Sequence, residues 1–100
     1  MFKHVVMYTL KPEFKKCGKE AVDMFLSMKE NINVIKKVSS GINTVTTNRS
    51  YDFILELTFN SIDDFYIYKN HPYHINTVQP LIHKLKDKSH SVDYFIEEED

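Results

Sequence analysis

The sequence predicts an α+β domain, with one four-stranded antiparallel sheet carrying helices on a single face in the order βαββαβ. Three observations predict it. Residues 2–10 and 51–59 alternate between two faces with the period of a strand. Ala21, Phe25, Met28, Ile32 and Ile35 recur at spacings of 4, 3, 4 and 3, the period of a helix. Gly41 and the prolines at 12, 72 and 80 punctuate the chain where one pattern gives way to the next.

Each element follows from its residues. In the first strand Phe2, His4, Val6, Tyr8 and Leu10 share one face, while Val5 and Met7 take the other. Lys11-Pro12 ends it, because proline has no N–H for the ladder. The apolar stripe predicts a helix over 17–37, followed by a turn at Gly41. A Thr- and Val-rich second strand is expected over 42–48, with a turn at Asn48-Arg49-Ser50. The third strand, 51–59, sets Tyr51, Phe53, Leu55, Leu57 and Phe59 against Asp52, Ile54, Glu56 and Thr58. Ser61, with Asp64 three residues on, opens a helix in the manner of a capping box. That helix stops near Asn70, because the residue before a proline avoids helical geometry. A second helical piece carries Ile75, Val78, Ile82 and Leu85, with a kink or break expected at Pro80. The last strand is expected over 90–96.

This order is the ferredoxin-like split βαβ sandwich. Helices cover one face of its sheet, and the other needs a cover of its own. The first strand is apolar on both sides, and Ile54 adds to the uncovered face. A second copy of the same sheet is the simplest cover, and it gives a homodimer through the sheet face with a barrel-like interior. The alternative is a monomer whose open face is mostly Thr, Ser and charge.

Composition bounds the function. One hundred residues make one domain, expected over 1–96, with the acidic run 97–100 as a solvated tail. Hydrophobic residues make up 42%, including seven Phe and six Tyr, which is enough for a core and an interface. A formal net charge of −1 with scattered basic residues argues against a nucleic-acid partner. No apolar run approaches the ~18 residues of a membrane span, and no signal peptide is visible. Cys17 is the single cysteine, which fits a reducing compartment, so a cytoplasmic protein is expected. Its place near a helix start gives it no base as neighbour, and it reads as incidental. Gly18 and Gly41 form no phosphate-binding fingerprint. His71 and His74 are separated by Pro72 and lack a second ligand pair, so neither a metal nor an organic cofactor is expected.

Four stretches together resemble the stress-responsive A/B barrel domain family, the dimeric α/β barrel proteins. They are Lys3-His4-Val5-Val6-Met7-Tyr8-Thr9-Leu10-Lys11-Pro12, Tyr51-Asp52, Tyr68-x-x-His71-Pro72-x-His74 and Val92-Asp93-Tyr94, in order across the whole chain. The resemblance implies a ferredoxin-like protomer, a homodimer and a cavity between sheet and helices in each protomer. Some plant members of the family are polyketide cyclases, which close a linear poly-β-ketone by an aldol condensation without a cofactor. In those enzymes a histidine like His74 is the general base and a tyrosine like Tyr68 holds a substrate oxygen.

The residue types suit that chemistry. An aldol closure needs a base for the acidic proton between two carbonyls and a donor for the enolate that follows. Tyr68 and His74 flank the Pro72 break, so both can face one space at a helix end. The plain structural alternative is that His74 bonds a free carbonyl of the preceding helix while Tyr68 is ordinary core. The first and last strands are antiparallel neighbours in this fold, which brings His4 towards Asp93, where a carboxylate would fix the imidazole's tautomer. That pair is a candidate for catalysis or for structure alone. His71 is expected to be exposed at the helix C-terminus, His83 at the surface, and His90 at the start of the last strand. Three functions remain open: a small-molecule-binding homodimer, a cofactor-free cyclase-like enzyme using His74 and Tyr68, and a dimeric ferredoxin-like monooxygenase.

Overall fold

A computed structural model describes residues 1–97, so of the expected tail 97–100 only Glu97 lies within the described residues. β1 (Phe2–Leu10), α1 (Gly18–Asn31), β2 (Lys37–Ile42), β3 (Phe53–Phe59), α2 (Ile62–Asn70), α3 (Gln79–Leu85) and β4 (Lys86–Phe95) follow in that order. The four strands form one antiparallel sheet in the order β2-β3-β1-β4, the ferredoxin-like topology. Among the described residues, no helix is long and apolar enough to cross a membrane.

The core lies between the sheet and the helices. Phe2, Val6, Tyr8 and Leu10 of β1 are buried with Phe53, Leu55, Leu57 and Phe59 of β3, as the alternation requires. Against them pack Ala21, Phe25 and Met28 of α1, Phe65 and Tyr68 of α2, and Ile82 and Leu85 of α3. Lys11 turns the chain into a short 3-10 turn at Pro12–Phe14 before α1.

Two boundaries differ from expectation. α1 ends at Asn31, six residues before Lys37, and Ile32 is already extended at φ −129° and ψ 98°. Ile32 and Ile35 keep the helical spacing and are fully buried, yet they sit in a turn closed by Ile35 N–H to the Ile32 carbonyl at 3.2 Å. The β-branched cluster Ile32, Val34 and Ile35 favours extended backbone, so the stripe continues while the helix does not. Lys36 then donates to the Thr58 carbonyl at 2.8 Å and delivers the chain into β2. The second strand therefore occupies 37–42 rather than 42–48, with Gly41 inside it opposite Ile54. Residues 43–52 form a loop, and the turn at Asn48-Arg49 is present. There Ser50 N–H bonds the Thr47 carbonyl at 3.2 Å.

Tyr51 and Asp52 precede β3 rather than open it. Asp52 instead clamps the end of β1, since its Oδ2 accepts the Leu10 N–H at 2.6 Å and Lys15 Nζ at 2.9 Å. Partial burial would push its carboxyl up, but those two donors outweigh it and hold the pKa below the ordinary carboxylate range.

The helical region after α2 is continuous where a break was expected. Ser61 caps α2 by accepting Asp64 N–H at 3.2 Å, and the helix stops at His71 ahead of Pro72. Helical backbone resumes at Pro72 and passes through a π-turn at His74–Val78 into α3. Gln79 N–H reaches back five residues to the His74 carbonyl. This widened turn lets Pro80, which has no N–H and a bulky ring, sit near the start of α3 without a break.

β4 starts at Lys86, four residues before His90, and pairs along the full length of β1 with one irregularity at Thr9/Leu10. Met1 and Ile96 close the pairing, with Ile96 N–H to the Met1 carbonyl at 2.9 Å and the Met1 ammonium to the Ile96 carbonyl at 3.2 Å. The far face of the sheet carries Val5, Met7, Ile54, Val92 and Tyr94 among Lys3, Glu56 and His90. Met7, Val92 and Tyr94 are exposed there, Val92 at 60%.

Candidate functional site

A cavity of about 140 Å³ lies between the sheet and the helical layer. Tyr8 and Phe25 line its inner side, with Tyr68, His74, Val78 and Ile82 above them; Gln79, His83, Lys86 and Ser89 complete the wall. Each position has a local cause. Tyr8 is on the inward side of β1 by strand alternation. Tyr68 occupies the last turn of α2 on its buried side. Pro72 ends that helix and restarts the next, and the π-turn then carries His74.

His74 is only 9% exposed, and its Nδ1 lies 3.1 Å from the Lys69 carbonyl. A carbonyl only accepts, so Nδ1 carries the proton and Nε2 carries the lone pair. The carbonyl is one of those that a helix end leaves without an intrahelical partner. His74 therefore does both things that the sequence posed as alternatives: it caps α2 and it lines the cavity. Burial pushes its pKa below the ordinary histidine range. The Lys69 carbonyl opposes the shift, and the nearby charges of His4, Lys69 and His83 add to it.

The Tyr68 ring packs on His74 with centroids 4.4 Å apart, and Phe59 flanks it at 5.5 Å. Burial pushes the Tyr68 phenol well above its usual range, and the neighbouring Tyr8 hydroxyl adds to that. Burial does the same to Tyr8. Both are therefore neutral donors at any ordinary pH. Neither hydroxyl, nor Nε2 of His74, bonds another described side chain or backbone group. Among the described residues no fully buried side-chain polar atom lacks a partner, so these three atoms keep some accessible surface. A lone pair and two hydroxyl donors around one hollow can take a proton from a guest and stabilise an oxygen of that guest.

His4 and Asp93 face each other across β1 and β4 on the same side of the sheet, with His4 Nδ1 donating to Asp93 Oδ1. The His4 ring lies 5.0 Å from Phe65 and 6.2 Å from Tyr68, but it does not line the cavity. The structure thus brings Tyr68 and His74 together in the pocket and sets the His4–Asp93 pair beside Tyr68. His71 departs from expectation. Its backbone N–H closes α2 on the Tyr68 carbonyl at 3.1 Å, but its side chain serves the next helix, with Nδ1 accepting Tyr73 N–H at 3.0 Å. His83 is exposed, as expected, and also borders the cavity. His90 lies within β4, and its Nδ1 is 2.6 Å from the Tyr51 hydroxyl on the far face.

Sequence reasoning missed Tyr8, Lys86 and Ser89 as lining residues. Tyr8 carried a signal, because a tyrosine on a core face needs somewhere for its hydroxyl. Lys86 and Ser89 fall where the last strand was placed too late, so their facing was not read. Among the described residues, no group of three His, Cys, Asp or Glu side chains is arranged to hold a metal ion.

The model of the Stress responsive A/B Barrel Domain family matches residues 2–96. No curated protein matches the chain significantly. Among solved structures, an Arabidopsis thaliana protein is 22% identical with a TM-score of 0.84, covering 100% of this chain and 99% of its own. A protein from Bacteroides fragilis, described as dimeric, ferredoxin-like and of unknown function, is 24% identical with a TM-score of 0.81, covering 95% of each chain. A hydroxynitrile lyase from Passiflora edulis is 16% identical with a TM-score of 0.81, covering 99% of this chain and 95% of its own. These likenesses concern the fold.

Proposed function

The chain belongs to the stress responsive A/B barrel domain family, and on that premise we propose that it is a homodimer whose protomers each bind a small organic molecule in the cavity beneath Tyr68 and His74. The observation that carries this reading is that Tyr8, Tyr68 and His74, whose hydroxyls and Nε2 bond no other described group, line one hollow. Polar atoms free of protein partners on a pocket wall can hydrogen-bond a guest. The volume of about 140 Å³ is close to the ~150 Å³ of a cavity that takes up benzene. Phenol or benzaldehyde is therefore a fitting probe, with its oxygen against the tyrosines and its ring against Phe25, Val78 and Ile82. At ten times Kd such a ligand raises unfolding free energy by about 1.4 kcal/mol. Thermal unfolding with either probe tests the reading, and unchanged melting at saturating probe concentrations refutes it. The homodimer is supported by the exposed apolar side chains of the far sheet face and by the Bacteroides fragilis relative described as dimeric.

A second reading is a cofactor-free acid–base enzyme, related in chemistry to the polyketide cyclases. It is favoured by the Lys69 carbonyl, which fixes the tautomer of His74 so that a basic nitrogen stands beside a neutral phenol. In that reading His74 Nε2 takes a proton from carbon between two carbonyls and Tyr68 donates to the enolate oxygen. A linear tetraketide exceeds the cavity, so a shorter dicarbonyl is the fitting substrate. Deuterium exchange at the methylene of pentane-2,4-dione tests the step. Equal exchange rates with the native protein and His74→Gln would end the enzyme reading and leave the binder.

A further inference from the structure

The charge around the cavity is one-sided. Of the residues that line it, Lys86 is a cation and none is acidic. Lys86 is half-buried at the junction of α3 and β4, where its backbone N–H bonds the Ile82 carbonyl. Its Nζ reaches only Ser89 Oγ, at 3.3 Å, and forms no ion pair with a carboxylate among the described residues. Asp93, the acid held by His4, lies outside the lining. Lys69 adds positive potential at His74 from the end of α2. A half-buried ammonium without a counterion favours an anion beside it.

We infer that the guest is a small monocarboxylate, a ring-sized or shorter acid that sets its carboxylate at Lys86 and Ser89 and its hydroxyl or carbonyl oxygen at Tyr68 and His74. This deepens the pocket reading above and rests on it. The polar groups divide the labour by charge. Tyr8, Tyr68 and neutral His74 offer hydrogen bonds without net charge, whereas Lys86 supplies the charge and Ser89 a hydroxyl next to it. A lysine acts here as a point charge with three donors, which suits one carboxylate.

The probes are 4-hydroxybenzoate and its uncharged counterpart 4-hydroxybenzyl alcohol, titrated by calorimetry against the native protein, Lys86→Met and Lys86→Arg. The native protein is expected to bind the benzoate at least tenfold tighter than the alcohol, with the preference shrinking at 0.5 M salt. Lys86→Met, which keeps the apolar stem, is expected to lose the preference, and Lys86→Arg to keep it. Far-UV circular dichroism on each variant confirms that the comparison is between folded proteins. Equal binding of the two probes by the native protein, or a preference that survives in Lys86→Met, overturns the inference and leaves the pocket reading standing. Binding of neither probe overturns both.

Discussion

At the scale of single residues, His74 carries the clearest consequence. Its folded pKa lies below that of the unfolded chain, which is near ~6.5. Above ~6.5 the ring is neutral in both states and acidity has no effect through it. As pH falls below that value the unfolded chain takes up the proton first. Stability is therefore lost progressively until the folded pKa is passed. Urea unfolding between pH 7.5 and 5 is expected to show this loss in the native protein and a shallower one in His74→Gln, which can still donate to Lys69. Identical slopes would contradict the burial argument. The residue scale is also where the sequence was most legible. The face of β1 that holds Phe2, Val6, Tyr8 and Leu10 was read from alternation alone, as was the meeting of His4 with Asp93 from strand order. Asp52 shows the limit. Its neighbourhood was noticed, but a carboxylate that binds a backbone N–H 42 positions away leaves no periodic trace.

At the scale of elements, caps and breaks decide where regular structure begins. Ser61 illustrates a local rule that survives folding, since its side chain meets the third residue of α2 as the sequence suggests. Ser61→Ala is expected to lower unfolding free energy by ~1 kcal/mol, measured by urea titration at pH 7. A change under a few tenths of a kcal/mol would mean that tertiary packing alone fixes the helix start. Two elements were misread for one shared reason. Apolar spacing reports burial, and burial continues across a change of backbone. Ile32 and Ile35 remain in the core after α1 has ended, so the stripe outran the helix and pushed β2 late. The direction of His74 was illegible for a related reason. Pro72 breaks the helix between Tyr68 and His74, so counting along α2 does not carry across it, and the π-turn that begins at His74 then rotates everything after it by ~100°. A fixed period cannot anticipate that shift. Pro80 marks where it is needed, and the sequence suggested a kink or a break there instead.

At the scale of the whole molecule, the proposed homodimer rests on the far face of the sheet. Met7 is 38% exposed, Tyr94 42% and Val92 60%, on strands that are otherwise well paired. In the homodimer proposed above, a carboxylate placed among them lacks a partner and is driven towards water. Sedimentation equilibrium is expected to give the native protein twice its 11.9 kDa chain mass and Val92→Glu a mass close to one chain, with unchanged circular dichroism. A native protein that sediments at one chain mass would remove the dimer and with it the need to cover this face. The sheet topology that exposes these side chains was legible in the order of elements. The pocket's charge was not, because it is assembled from β4 and α3 residues distant in the chain from Tyr68.

Met1 and Ile96 lie side by side, joined by a pair of backbone hydrogen bonds. The described fold thus begins and ends at one place on the sheet. A linker of a few residues across that gap adds little chain-closure entropy. New termini then belong in the exposed loop at residues 44–49, where no strand pairing is interrupted. The same adjacency means that a host protein can carry this domain as an insertion, entering and leaving at almost the same point.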